Sequence, residues 1–202
     1  MKNNFPQNKK ALIWLSGAHF INDIYTGVLN PIMPFIAAKI GISMAIATII
    51  LTISHIFSSL LQPLFGFFAD NIVKRSFIFW GLILSSIFIP LSAMANNPFI
   101  LVLFIIFGSI GSSLFHPQAL GFASRFAQKE SAGKSMAVFV AMGTLGYSMG
   151  PVVSSAITQF LGIPKMPLMT FLGIAWALIM FSFVPKLSLS ETVIKKINFK
   201  TA

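Results

Sequence analysis

Five polar side chains interrupt an otherwise apolar stretch near the start of the chain: His19, Asn22, Asp23, Thr26 and Asn30. Their offsets of 0, 3, 4, 7 and 11 place all five within an arc of roughly 100° on a helix turning about 100° per residue. One face of that helix is therefore polar, and Asp23 is the sole acid well inside any apolar stretch of the sequence. A carboxylate in such a setting costs several kcal/mol unless it is paired or reaches water. Burial disfavours its charged form, so it is suited to taking up and releasing a proton, with His19 one turn away as partner. The same stripe would also serve to hydrogen-bond neighbouring helices.

A second cluster, Gly111-Ser112-Ser113-Leu114-Phe115-His116-Pro117-Gln118, lies in a later apolar stretch. Pro117 removes a backbone donor and is expected to loosen its helix, freeing carbonyls near positions 113 and 114. Counted from the ends of their segments at 1.5 Å per residue, His116 and His19 fall at similar depth, so they are placed to face one another across a cavity. Asn22, Thr26, Asn30, His116 and Gln118 are the candidate lining of a solute path. His55, among Ser54, Ser58 and Ser59, reads more readily as a histidine satisfied in a packing contact. Farther on, Gly143, Gly146, Gly150 and Pro151 provide small residues at helical spacing and then a bend point, fitting close helix packing and equally a gate.

These groups need elements that hold them in apolar surroundings, and the composition supplies that setting. Of 202 residues, 56% are hydrophobic and 9% charged, against about 25% charged in an ordinary soluble domain, which excludes a soluble globular enzyme. Apolar runs punctuated by polar, Pro or Gly residues fall near 11–38, 44–69, 76–95, 98–122, 135–161 and 167–184. Each approaches the roughly 20 residues that span a bilayer. The expected fold is all-α: a six-helix membrane unit over 11–184, a tail at 1–10 and a basic tail at 185–202.

Basic residues give the orientation. Lys2, Lys9, Lys10, Lys74, Arg75, Arg125, Lys129, Lys134, Lys186, Lys195, Lys196 and Lys200 fall in the tails and alternate loops, leaving Lys39 and Lys165 on the other side. Basic loops stay cytoplasmic, so both termini are expected inside. Spans 1–3 then run opposite to spans 4–6, the arrangement of three-plus-three inverted repeats. Because the basic residues punctuate spans instead of forming one patch, the net charge of +10 does not point to nucleic acid.

Other six-span chemistries lack their residues. An intramembrane serine protease needs Gly-x-Ser-Gly and a later histidine, and no histidine follows His116. A metal carrier built on histidine/aspartate pairs needs a second pair beside His19 and Asp23. No enzyme activity, resident metal or cofactor is expected, and there is no cysteine. A passive channel or structural subunit remains open, to be separated from a carrier by proton dependence.

Gly66-x-x-x-Asp70 followed by Lys74 and Arg75, between spans 2 and 3, resembles the loop signature of the major facilitator superfamily, with Asn71 and Val73 departing from its usual base and glycine. Gly146 to Pro151 is similar to the fifth-helix signature of its antiporters. His19-Phe20-Ile21-Asn22-Asp23, Gln62-Pro63-Leu64-Phe65-Gly66 and the His116-Pro117 stretch resemble the fosmidomycin-resistance branch. The resemblance implies one six-helix half of an inner-membrane carrier, exporting a small anionic or drug-like compound with protons and using Asp70, Lys74 and Arg75 as a cytoplasmic latch. The branch commonly has glutamate where Gln118 stands, so coupling here rests on Asp23 or is lost. A carrier of this kind needs a second six-helix half, which implies a homodimer, a separate partner chain or a truncated remnant.

Overall fold

The computed structural model describes residues 8–71, 74–127 and 131–186, with the side chains of 68–71 left out. Six long helices follow in order: α1 (Lys9–Ile40), α2 (Met44–Asn71), α3 (Arg75–Leu91), α4 (Pro98–Phe126), α5 (Ala132–Phe160) and α6 (Met169–Phe183). The polar residues that punctuate the apolar runs also set their ends. Asn8 and Asn97 accept hydrogen bonds from the backbone N–H groups of Ala11 and Ile100, each at 2.9 Å, capping α1 and α4. Gly41 ends α1 with φ 74°, a left-handed conformation in which glycine carries no Cβ penalty.

Five of these segments are long and apolar enough to cross a membrane. The exception is α1, whose 32 residues give ample length but whose polar stripe lowers its hydropathy. Its central place compensates: α1 packs along α5 and touches the other four long helices as well. The main contacts pair up when α1–α3 are exchanged with α4–α6. α1 lies along α5 as α4 lies along α2, α3 packs on α4 as α6 packs on α1, and α3 meets α6. That is the contact pattern of a three-plus-three repeat.

Glycine makes the tight seams. A Cβ on Gly81 of α3 would crowd the backbone of Gly111 and Phe115 on α4, and a Cβ on Gly146 of α5 would overlap the Phe20 carbonyl on α1. Gly150 meets Gly27 of α1 in the same way. α4 runs helical from Pro98 to Phe126, so the loosening and kink expected at Pro117 do not interrupt it. Side-chain bonds brace that stretch. Ser113 Oγ donates to the carbonyl of Ser109 within α4, at 2.7 Å, and lies 2.7 Å from Ser58 Oγ of α2.

Arg75 does not stand free at the loop between α2 and α3. Its Nη1 donates to the carbonyls of Phe181 (2.8 Å) and Val184 (2.7 Å), and its guanidinium lies 4.2 Å from the Phe181 ring centroid. It thereby caps the last turn of α6, where four carbonyls lack helical donors. Arg75→Ala is expected to lower stability by about 2–3 kcal/mol, since hydrogen bonds from charged groups contribute about 1.5–3 kcal/mol. Arg75→Lys should recover less than half, because an ammonium lacks the planar fork. Thermal unfolding in detergent checks both, and an unchanged midpoint for Arg75→Ala would refute the capping role.

Lys74 precedes α3 as its exposed N-cap residue, and Gly66 lies within α2, facing Pro117. The Asp70 side chain lies outside the described residues, as do Lys2, Lys129, Lys195, Lys196 and Lys200 from the charge count.

Candidate functional site

The stripe on α1 divides into two directions. His19, Asp23 and Thr26 face a cavity of about 420 Å³ bounded by α1, α2, α4 and α5. Asn22, fully buried, points the other way into the bundle. Around the cavity stand His55, Ser58, Ser59 and Gln62 from α2, Ser112 and His116 from α4, and Thr144 and Tyr147 from α5.

Asp23 is the meeting point. Its Oδ2 lies 3.3 Å from His19 Nε2 and its Oδ1 3.1 Å from His116 Nε2, while both imidazoles and the carboxylate remain largely shielded from solvent. The far nitrogen of each ring is anchored. His19 Nδ1 lies 2.9 Å from the carbonyl of Phe139 and His116 Nδ1 2.7 Å from that of Ser112. A carbonyl oxygen only accepts, so each Nδ1 carries its hydrogen and donates. A neutral imidazole so fixed turns the Nε2 lone pair towards the carboxylate oxygens. The close approach becomes attractive only when a proton, or another cation, sits on Nε2.

Asn22 completes a ring. Its Nδ2 donates to Asp23 Oδ1 (2.9 Å) and to Ser112 Oγ (3.2 Å), and Ser112 Oγ lies 3.3 Å from His116 Nδ1. The amide oxygen accepts from Ser85 Oγ of α3 at 2.9 Å. A buried amide with both ends engaged fixes its own orientation, and with it the Asp23 oxygen that it meets.

Gly143 leaves the space this cluster occupies. A Cβ there would overlap the His19 ring and crowd Asp23 Oδ2 at 2.8 Å. His19 also stacks on Phe139, centroids 4.4 Å apart, and meets His116 edge-on at 5.2 Å. Gly146 and Gly150 hold α5 against α1, and Pro151 follows inside a continuous α5.

Of the predicted path residues, Thr26 and His116 stand at the cavity. Asn30 is exposed, with Nδ2 3.3 Å from the Tyr147 hydroxyl. Gln118 is 1% exposed, lies away from the cavity wall, and its Oε1 has no hydrogen-bond partner among the described residues. His55 is exposed at the cavity and not enclosed in a packing contact. Sequence reasoning missed the serine wall of α2 and the Asn22–Ser85 link. The Ser58-Ser59-x-x-Gln62 spacing was the available signal for the wall.

Chemically, two anchored imidazoles on one carboxylate can store and release protons beside a water-accessible space. Their ligand-type atoms also lie within 4.8 Å of one another, a span that a divalent cation could bridge with some contraction.

The sequence matches the family described as Major Facilitator Superfamily over residues 15–198. It is 29% identical over 147 residues to the fosmidomycin resistance protein of Escherichia coli (strain K12), an alignment covering 71% of this chain and 35% of that protein. The chain thus spans about a third of its curated relative. In fold it is similar to a peptide transporter POT solved in complex with sulfate, with TM-score 0.74, 16% identity, and coverage of 95% of this chain and 44% of that one. A POT family transporter in complex with 5-aminolevulinic acid gives TM-score 0.73 at 18% identity, covering 96% and 45%.

Proposed function

The chain belongs to the Major Facilitator Superfamily, and from that premise we propose that it forms the solute- and proton-handling half of a secondary carrier. Its reaction is export of a small drug-like or anionic solute in exchange for protons. The observation that carries this reading is the pair of Nδ1-anchored imidazoles on Asp23 at the wall of a polar cavity. In that arrangement cohesion of the cluster requires protons on Nε2. Hydrogen-bond donors of an entering solute compete with the protonated imidazoles for Asp23, so solute entry releases protons from Nε2 and reprotonation releases the solute. His19, Asp23 and His116 carry protons; Thr26, His55, Ser58, Ser59 and Tyr147 contact solute.

Asn22 and Gln118 fit positioning and packing roles better than solute contact, since both are buried away from the cavity. The cytoplasmic latch of Asp70 and Lys74 stays part of the proposal, with Arg75 assigned instead to the end of α6. Both termini face the cytoplasm of a bacterial inner membrane, following the basic loops.

A second six-helix half closes the cavity, supplied by a second copy or a separate chain. Reconstitution in proteoliposomes tests the whole reading, with the oligomer defined beforehand by native mass spectrometry. Fosmidomycin, named for the curated relative, is the first solute to load, followed by other small phosphonates and carboxylates. Uptake or release driven by an imposed pH gradient, and collapsed by a protonophore, is the expected result. Gradient-independent leakage through a defined oligomer would favour a passive channel and overturn the carrier reading.

A further inference from the structure

We propose that His19, Asp23 and His116 bind a divalent transition cation of the zinc class, which takes the place of the two Nε2 protons that otherwise hold the cluster together. The site shares its residues with the carrier reading but adds a second occupant to them. The exchange balances in charge. Two imidazolium groups on one carboxylate carry one net positive charge, and so do two neutral imidazoles and a carboxylate around one divalent cation. Surroundings that accept the protonated cluster therefore accept the metal-bound one, with both protons released to water.

The separations suit such an ion. Zinc holds imidazole nitrogen at about 2.0–2.1 Å and carboxylate oxygen at about 2.0–2.2 Å, so ligand atoms of a tetrahedral shell stand roughly 3.4 Å apart. Asp23 Oδ2 is already 3.3 Å from His19 Nε2, and Oδ1 is 3.1 Å from His116 Nε2. The ligand-type atoms of all three residues fall within 4.8 Å of one another, which leaves the histidine pair about 1 Å to close. His116, whose side chain is 29% exposed against 10% for His19, has the room to move.

Every ligand arrives with an outer partner. The Nδ1–H groups of His19 and His116 donate to the carbonyls of Phe139 and Ser112, which leaves Nε2 as the coordinating atom in both rings. Asn22 Nδ2 donates to Asp23 Oδ1 and steadies the carboxylate. Partners of this kind orient metal-ligating imidazoles and carboxylates and raise their affinity. A single imidazole on the carboxylate would suffice to carry a proton. Two fixed lone pairs converging on the same carboxylate form a coordination shell. Counting along the sequence asks for a second histidine/aspartate pair, but the fold brings the missing nitrogen from α4 instead. Two nitrogens and a carboxylate favour zinc-type ions over magnesium or calcium, which prefer oxygen throughout. Three protein ligands leave one tetrahedral position open, on the side of the 420 Å³ cavity, for water or an anionic solute oxygen.

The test is calorimetric titration of the full chain, purified in detergent without affinity tag or chelator, with Zn²⁺ and with Mg²⁺. One Zn²⁺ per chain is the expected result, undisturbed by an equal concentration of Mg²⁺. Loss of an outer partner weakens metal sites by about 10–100-fold, so loss of a ligand in Asp23→Asn or His116→Gln should weaken Zn²⁺ binding by about a hundredfold or more. Zn²⁺ should raise the thermal unfolding midpoint of the unaltered chain and not of either variant, which separates a lost site from a lost fold. Co²⁺ in place of Zn²⁺ should show the intense visible bands of a four-coordinate ion, absent in Asp23→Asn. His55→Gln, which alters the one histidine outside the cluster, should retain Zn²⁺ binding. No saturable Zn²⁺ binding, equal affinity for Mg²⁺, full binding in Asp23→Asn, or loss confined to His55→Gln would each overturn the proposal. The titration needs no gradient, so its failure leaves pH-driven transport untouched, and a failure of transport leaves the titration standing.

Discussion

Asp23→Asn is expected to abolish pH-gradient-driven transport, by about a hundredfold or more, without lowering the thermal stability of the protein. The two halves of that expectation come from the same contacts. Asparagine keeps the shape of the carboxylate and a hydrogen-bonding oxygen but carries no charge. The imidazoles of His19 and His116, fixed by the Phe139 and Ser112 carbonyls, then have no anion to hold protons on Nε2. Holding a buried imidazolium without its carboxylate costs about 3–5 kcal/mol, about two to four decades in the coupled step. Folding has less at stake, because with a neutral residue at position 23 both imidazoles can also give up their Nε2 protons, which leaves no uncompensated charge buried. Transport and unfolding measured on one preparation check this. Full pH-driven transport in the variant would remove Asp23 from the proton path, and a large loss of stability would make it a structural ion pair.

Gly146→Ala is expected to have the largest structural effect of any single methyl added to the bundle. Helix propensity favours the alanine by up to about 1 kcal/mol. Against it, the new Cβ overlaps the Phe20 carbonyl, a backbone atom of α1 that cannot rotate aside. Overpacking of this kind costs about 1–3 kcal/mol or more, so a net loss near 2 kcal/mol is expected, and transport falls with it because α5 also carries the Phe139 carbonyl that anchors His19. Gly133→Ala, in the first turn of the same helix with nothing within 4 Å of its Cβ, supplies the control: stability should rise by up to about 1 kcal/mol. Equal midpoints for the two variants in thermal unfolding would show that the α1–α5 seam is slack.

Much of this was legible in the residues. Hydropathy alone located six segments to within a few residues of the observed helices, since lipid-facing helices must be apolar nearly all round and their ends are marked by Asn, Gly and Pro. The stripe on α1 identified Asp23 and His19, and depth counting paired His116 with them. What periodicity cannot resolve is which neighbour each edge of a stripe meets. Asn22 and Asp23 are adjacent and both lie within the 100° arc, yet one turns to Ser85 of α3 and the other to the cavity. Arg75 reads as a loop charge because its partners are carbonyls more than a hundred residues away. Pro117 reads as a loosened, kinked turn, and sequence does not show the neighbours that brace it within a continuous α4.

The bond between Ser85 and Asn22 has one more consequence. α3 carries Trp80, more than half exposed on its outer side, and on its inner side Gly81 already touches the α4 backbone with no room for a methyl group. A bilayer thinner or thicker than the span tilts such a helix at a cost of fractions of a kcal/mol per ångström. Here the tilt meets no compressible layer before it reaches the amide that steadies Asp23. On the proposed role of Asp23, the thickness of the host membrane thereby becomes a variable in proton transfer, reaching the carboxylate through a buried serine on α3.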